Sequence, residues 1–258
     1  MLMRLDKFLS EQTPLTRSEI KKKAMKSEIT VDGTVVRDTS VKIDPETVTV
    51  ILSGREISYK KNVYYIMNKP KGVVSATEDK HDKTVIDLLR EEDRRKGIFP
   101  AGRLDKDTTG MVLLTNDGEL SHRILSPKSH IPKYYIVQLA ESFDSEYVKL
   151  FNEGMKTNEG VQFLPSNVKG LTNHADMAFI ELFEGKFHQI KIMFEQVGNK
   201  VVNLRRVQMG NLKIPIELGL GEYVEIMHKG VGELFAKPDF SAVFEDFESN
   251  FSSYWINI

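Results

Sequence analysis

The stretch "AGRLDKDTTGMVLLTNDGELSHRILSP", residues 101–127, runs from a polar turn into a short apolar strand and then a helix. "MVLLT" at 111–115 is continuously apolar, as a strand buried on both faces would be. "NDG" breaks the run, and Leu120, Ile124 and Leu125 follow at helical spacing. Ahead of the strand, Asp105 and Asp107 stand two positions apart behind Arg103. In an extended segment both side chains point to one side, so periodicity does not choose between them. A lone aspartate in such a loop is ordinarily a turn former or a cap. Here Thr108, Thr109 and Gly110 allow close backbone approach beside the strand. At least one carboxylate therefore stands at the mouth of a core strand, where low dielectric strengthens its interactions.

Outward from this stretch, strands alternate irregularly with helices. "VYYIMNKPKGVVSAT" at 63–77 gives a strand, a Lys69-Pro70 break and a second strand. "TVIDLLREED" at 84–93 predicts a helix, and "KYYIVQL" at 133–139 and "MAFIELFEG" at 177–185 predict strands. "HQIKIMFEQVG" at 188–198 places Ile190, Met193, Phe194 and Val197 on one helical face, with Gly198 as its stop. Strand-like pieces at 207–214 and 222–227 follow. Many strands and few helices, without strict alternation, imply an α+β domain built on a mainly antiparallel mixed sheet flanked by helices.

The first fifty or so residues read as a separate α/β module. Leu5, Phe8 and Leu9 share a helical face, Thr16 and Glu19 have capping-box spacing, and "EITVDGTVV" at 28–36 carries an Asp32-Gly33 hairpin turn. The expected division is 1–56 for the module, 57–62 for a linker, 63–230 for the larger domain and 231–258 for an acidic, aromatic extension.

Charge is uneven along the chain. Residues 1–26 hold seven Lys or Arg against three acids, whereas 231–258 hold one Lys against five acids. A basic head suits a polyanionic partner. Without cysteine, disulfides, thiolate zinc sites and cysteine nucleophiles are excluded. Histidines do not cluster with acids at metal-ligand spacing, and no phosphate-cradling Gly-x-x-x-x-Gly-Lys occurs. No apolar run is long enough for a membrane span, so a cytoplasmic location without membrane contact is the default expectation.

Two resemblances follow from these motifs. The head, over roughly residues 3–50, resembles an S4 RNA-binding domain. The stretch at 101–127 resembles the signature of pseudouridine synthases, in the branch typified by the small-subunit ribosomal RNA enzyme RsuA. "YYIMNKPKGVVSAT", "KYYIVQL" and "EGKFHQIKIMFEQVGNKVVNLRRVQMG" resemble further motifs of that family in order and spacing. The resemblance spans roughly residues 3–226, and the tail from about Val231 departs from it.

The resemblance implies isomerisation of a specific uridine to pseudouridine in ribosomal RNA, most directly 16S, and it implies no cofactor and no metal. Asp105 matches the family's nucleophile and Asp107 becomes a support or surface residue. Lys191 matches its basic partner, and a cation beside a partly buried aspartate lowers that aspartate's pKa. Tyr135, of the Lys-x-Tyr pattern that begins at Lys133, would stack on an extruded uracil, and Ile190 would wall the other side. His188 and Gln189 read as structural. Arg103, Lys69, Lys71, Arg205 and Arg206 are expected phosphate contacts, and Arg17, Lys21, Lys22 and Lys23 are the expected RNA-binding face of the module. The expected partner is ribosomal RNA or a subunit assembly intermediate, met by a monomer. The rivals are the same chemistry on 23S ribosomal RNA, and a non-catalytic S4-type RNA-binding or assembly factor.

Overall fold

The structure, a computed structural model, describes residues 2–157 and 160–255. It divides into two compact units, one made of residues up to Val63 with Leu89–Ile98, the other of Tyr64–Leu88 with Phe99 onward. The segment 89–98, expected within the larger domain, thus groups with the head.

In the first unit, helices α1 (Leu5–Gln12) and α2 (Arg17–Met25) precede a sheet of β1 (Ile29–Val31), β2 (Thr34–Val35), β3 (Val50–Leu52) and β4 (Arg55–Glu56). The strands lie in the order β2-β1-β3-β4, all antiparallel. The expected capping box forms: Glu19 N donates to Thr16 Oγ1 at 3.3 Å, and Thr16 N donates to Glu19 Oε2 at 2.8 Å. At the hairpin, Asp32 and Gly33 both take positive φ, 47° and 78°, as the tight turn requires. Leu5, Phe8, Leu9, Ile20, Ala24 and Ile29 close a small core between helices and sheet. The outer face of α2 stays charged because only Ile20 and Ala24 point inward.

The second unit is built on β5 (Tyr64–Lys69), β6 (Thr109–Thr115), β7 (Lys133–Leu139), β8 (Asn167–Leu171), β9 (His174–Leu182), β10 (Val201–Met209) and β11 (Tyr223–Glu225). Their order is β8-β9-β7-β10-β6-β5-β11. Within this order β10 and β6 run parallel, through Arg205↔Thr109 and Arg206↔Gly110, and the other neighbours are antiparallel. The α+β, mainly antiparallel expectation therefore holds. Helices α3 (Gly118–Leu125), α4 (Glu146–Asn152) and α5 (Gln189–Gln196) accompany the sheet. The helix expected over 84–93 is instead two single 3-10 turns, Ile86–Leu88 and Glu91–Asp93. Thr84 and Asp87 form the same reciprocal cap as Thr16 and Glu19, with Thr84 N donating to Asp87 Oδ2 at 2.8 Å and Asp87 N to Thr84 Oγ1 at 3.3 Å, but only a single turn follows it. No helix among the described residues is long and apolar enough to cross a membrane.

The tail belongs to this unit's core. Helices α6 (Phe240–Ser249) and α7 (Phe251–Trp255) set Val243, Phe244, Phe247 and Tyr254 against Ile66, Met111, Tyr134, Ile136 and Phe179. Phe179 meets Phe247 at a 5.1 Å centroid distance and stacks on Tyr134 at 5.9 Å. The tail's acids are used locally: Asp246 Oδ2 pairs with Lys213 Nζ at 2.6 Å, and Glu248 Oε1 accepts from Thr172 N at 2.7 Å.

Candidate active site

Register across four strands aligns Tyr135, Arg206, Gly110 and Lys69 in one row. Residues directly opposite on neighbouring strands share a face, so this row lies beneath the loop that leads into β6. Gly110 is the tight point. Its φ is +101°, and an added Cβ would lie 2.1 Å from the Arg206 carbonyl oxygen, so no larger residue fits.

The loop is held from below by one buried ammonium. Lys69 Nζ donates to the carbonyls of Thr108 (2.8 Å), Asp105 (3.0 Å), Pro70 (3.1 Å) and Lys106 (3.3 Å). Ser75 clamps the same loop from the side: its hydroxyl donates to the Leu104 carbonyl at 3.0 Å and accepts from Leu104 N at 3.1 Å. Burial pushes the Lys69 ammonium down to about 8, against the opposing pull of the Asp107 and Asp105 charges. At neutral pH it therefore stays protonated, as four carbonyl acceptors require.

Above the loop, Asp105 keeps about 30% of its side chain exposed and faces a cavity of about 140 Å³. Its walls include Arg103, Leu104, Tyr135, His188, Ile190 and Lys191. That volume is far below the ~300–1,000 Å³ of pockets for whole drug-sized ligands and suits a single small ring. Tyr135 is the member of its pair that faces the cavity, while Tyr134 turns to the opposite face of the sheet and packs on Phe179. Ile190 and Lys191 open α5, whose Met193 and Phe194 are buried, so the helix's inward face fixes where the lysine emerges.

The Lys191 ammonium is shared, and unevenly. It donates to Asp107 Oδ1 and Oδ2 at 2.7 and 2.8 Å and lies 3.4 Å from Asp105 Oδ2. This corrects the expectation that Asp105 is its main partner, and it gives Asp107, expected as a support or surface residue, the closer contact. Burial would raise the Asp107 carboxyl, but the hydrogen bond and charge of Lys191 outweigh it and hold that group below the usual carboxylate range. His188, expected to be structural, sits at the cavity with Nε2 3.6 Å from Asp105 Oδ2. It occupies a left-handed conformation (φ 50°) immediately before α5, a backbone state that nothing in the residue pattern announces.

Three expected phosphate contacts are corrected by burial. Lys69 is wholly enclosed beneath the loop, Arg206 donates Nε to the Met111 carbonyl at 2.8 Å, and Arg205 donates Nη1 to Asn68 Oδ1 at 3.0 Å. Arg205 and Arg206 are 4% and 2% exposed, too covered to meet a phosphate in this conformation. Their charges sit inside the sheet because β10 is central, where both faces are covered. Arg103 does line the cavity and is exposed, and Lys71, also exposed, bonds Asn203 Oδ1. On the head, Arg17, Lys21 and Lys22 are exposed, whereas Lys23 is tied to Glu28 and Ser53 at 2.9 Å each.

This arrangement can bind one planar ring between Tyr135 and Ile190 with a carboxylate at its edge. Comparison with known proteins gives the family. The family model for RNA pseudouridylate synthase matches residues 63–196, and that for the S4 domain matches residues 3–48. An RNA pseudouridine synthase of Bacillus subtilis is 42% identical over 226 residues, covering 87% of this chain and 95% of the relative. The ribosomal small subunit pseudouridine synthase A of Escherichia coli is 37% identical over 229 residues (86% and 95%), and that of Vibrio cholerae 38% over 234 residues (90% and 100%). A crystal structure of a pseudouridylate synthase, 34% identical, superimposes with a TM-score of 0.63 over 90% of this chain and 99% of its own. The chain belongs to the RNA pseudouridylate synthase family and carries an N-terminal S4 domain.

Proposed function

We propose that this protein converts a specific uridine of small-subunit ribosomal RNA to pseudouridine, with Asp105 as the nucleophile. The observation that carries the reading is the Asp105 carboxylate, partly exposed at a cavity sized for one base, on a loop pinned by Lys69 and Ser75. The relatives named ribosomal small subunit pseudouridine synthase A, at 37% and 38% identity, support the choice of RNA.

The reaction breaks the N1–C1′ bond, turns the base and joins C5 to C1′. The proton on C5 leaves, N1 gains one, and nothing is oxidised or hydrolysed. A uridine stacked in folded RNA cannot bring C1′ and C5 to Asp105, so the nucleotide swings out into the cavity at a cost of a few kcal/mol. Tyr135 and Ile190 sandwich the base. Asp105 adds either to C1′, as in retaining glycosidases, or to C6 of uracil. Both routes use the same placement. Lys191 and His188 present donor groups to the two aspartates, and Tyr135, which lines the same cavity, serves proton transfer through its phenol. Arg103 holds the displaced backbone, and Arg17, Lys21 and Lys22 on the head bind RNA phosphates in a salt-dependent way.

The test is tritium release from uracil C5 in small- and large-subunit ribosomal transcripts. Wild type is expected to release tritium from the small-subunit RNA, and Asp105→Asn to be slower by more than about a thousandfold with an unchanged melting temperature. Release from the large-subunit RNA alone would reassign the target. RNA binding without release from either would favour an S4-type binding factor.

A further inference from the structure

Phe187 is the feature that the reading above leaves unused. It is 74% exposed, and among the described residues every other Phe, Tyr and Trp is buried or half-buried. Such a ring in solvent is unfavourable by the usual burial argument, and it lies beside the cavity rather than at a random surface position. One face of the ring stacks on His188, at a 3.7 Å centroid distance and 19° between planes. His188 in turn reaches to 3.6 Å from Asp105. A column of planar groups therefore leads from the carboxylate outward, and the outer face of Phe187 is its open end.

The ring is exposed but not loosely held. Lys186 is paired to Glu184 at 2.9 Å, Lys186 N donates to Gln189 Oε1 at 3.2 Å, and Gln189 Nε2 donates back to Glu184 Oε1 at 3.0 Å. Leu164 N also donates to Glu184 Oε1, at 2.8 Å. These bonds fix the backbone on both sides of Phe187. The ring also divides two spaces: it lines the Asp105 cavity on one side and, with Val161, Phe163 and Ile192, a mostly apolar groove of about 580 Å³ on the other. The two spaces share Phe187 and Lys186 in their linings.

We propose that Phe187 is a stacking platform for the nucleobase next to the flipped uridine, and that the groove beyond it receives that base. This rests on the proposed pseudouridine synthase reading. When one nucleotide leaves a stack, its neighbour loses a stacking partner. A fixed aromatic face at the cavity mouth replaces that partner, whichever base it is, because every base has a π-face. The platform thus favours the flipped state of the RNA without contributing an atom to the chemistry. Lys186, at the same edge, adds a cation near the strand.

The test compares wild type, Phe187→Ala, Phe187→Leu and Phe187→Tyr in tritium release from C5-labelled small-subunit ribosomal transcript. Ala and Leu are expected to raise KM by about 5- to 100-fold, the range alanine substitution gives for one base–aromatic stack. Their kcat at saturating RNA should stay within about twofold, and Tyr should restore KM, since rescue follows the ring rather than apolar bulk. Melting temperatures should match wild type because so exposed a side chain holds little of the fold together. Equal KM in all four proteins would overturn the proposal, as would rescue by Leu as complete as that by Tyr. Loss in Phe187→Ala of a wild-type dimer seen by sedimentation would also overturn it, assigning the ring to a self-contact. An inert wild type in the same assay would instead sink the parent reading, which keeps the two failures distinct.

Discussion

The two faces of the central sheet in the second unit are made from the same strands but solve opposite problems. Under the Asp105 loop, interior positions hold Lys69, which donates to loop carbonyls, and Arg206, whose Nε donates to the Met111 carbonyl. On the other face, Tyr134 stacks on Phe179, which Phe244 meets edge-on and Phe247 at a tilt from the C-terminal helices. One face uses directional bonds to hold a loop in place, and the other uses non-directional burial to hold the domain together. The difference teaches that a cation within a strand of this unit can mark a held loop rather than a surface.

Breaking the polar face should have the larger effect. Lys69→Met strands four carbonyls in a closed site, and a loss of about 3–5 kcal/mol in unfolding free energy is expected. Turnover of the folded fraction should fall by about a hundredfold or more, because Asp105 loses its floor. Denaturant melts and tritium release on the same preparation check both parts. A stable variant with wild-type turnover would show that Ser75 alone positions the loop.

Breaking the aromatic face should separate stability from activity. Phe247→Ala opens a cavity among Phe179, Phe244 and Tyr254 and should cost about 3–5 kcal/mol. Below its lowered melting temperature, kcat should stay within about twofold of wild type, since no bond from α6 reaches the Asp105 loop among those described. A matching fall in kcat at permissive temperature would mean that the two faces are coupled through the sheet.

Much of this architecture was legible in the residue pattern. The hairpin at Asp32-Gly33, the capping box at Thr16 and the helix stopped by Gly198 each carry local signals within a few residues of one another. Asp105, Tyr135 and Lys191 came from linked motifs, and the structure brings them to one cavity. What was not legible depends on distant partners. Nothing near Lys69 tells that its ammonium lies under a loop 36 residues further on. Arg205 and Arg206 read as surface cations because neighbouring arginines usually are, yet the central place of β10 buries both. His188 was undervalued because a left-handed backbone before a helix leaves no trace in composition.

The smallest expected effect sharpens the comparison by titration. With Lys69 pushed down to about 8 by burial, turnover should decline by about tenfold per pH unit once pH is well above 8, as a donor becomes a lone pair facing carbonyl oxygens. Stability moves the other way. The folded value lies below the unfolded value of 10.5, so between about pH 8 and 10.5 the unfolded chain holds the extra proton and this group adds stability as pH rises. An alkaline loss of kcat with no loss of melting temperature is therefore expected. A flat rate profile to pH 9.5 would mean that the carbonyl cage keeps the proton.

The parallel seam between β6 and β10 has a consequence in time. Thr109 and Gly110 find their partners Arg205 and Arg206 across 95 intervening positions or so, with Thr109 Oγ1 donating to the Leu204 carbonyl at 3.4 Å over a separation of 95. Contacts of such long range form late, after local turns and hairpins. A chain still leaving the ribosome can therefore display Asp105 while having no cavity behind it. The acid acquires its setting only when the strand that ends at Met209 slots into the gap, so that strand must have left the ribosome before this protein can act on any RNA within reach.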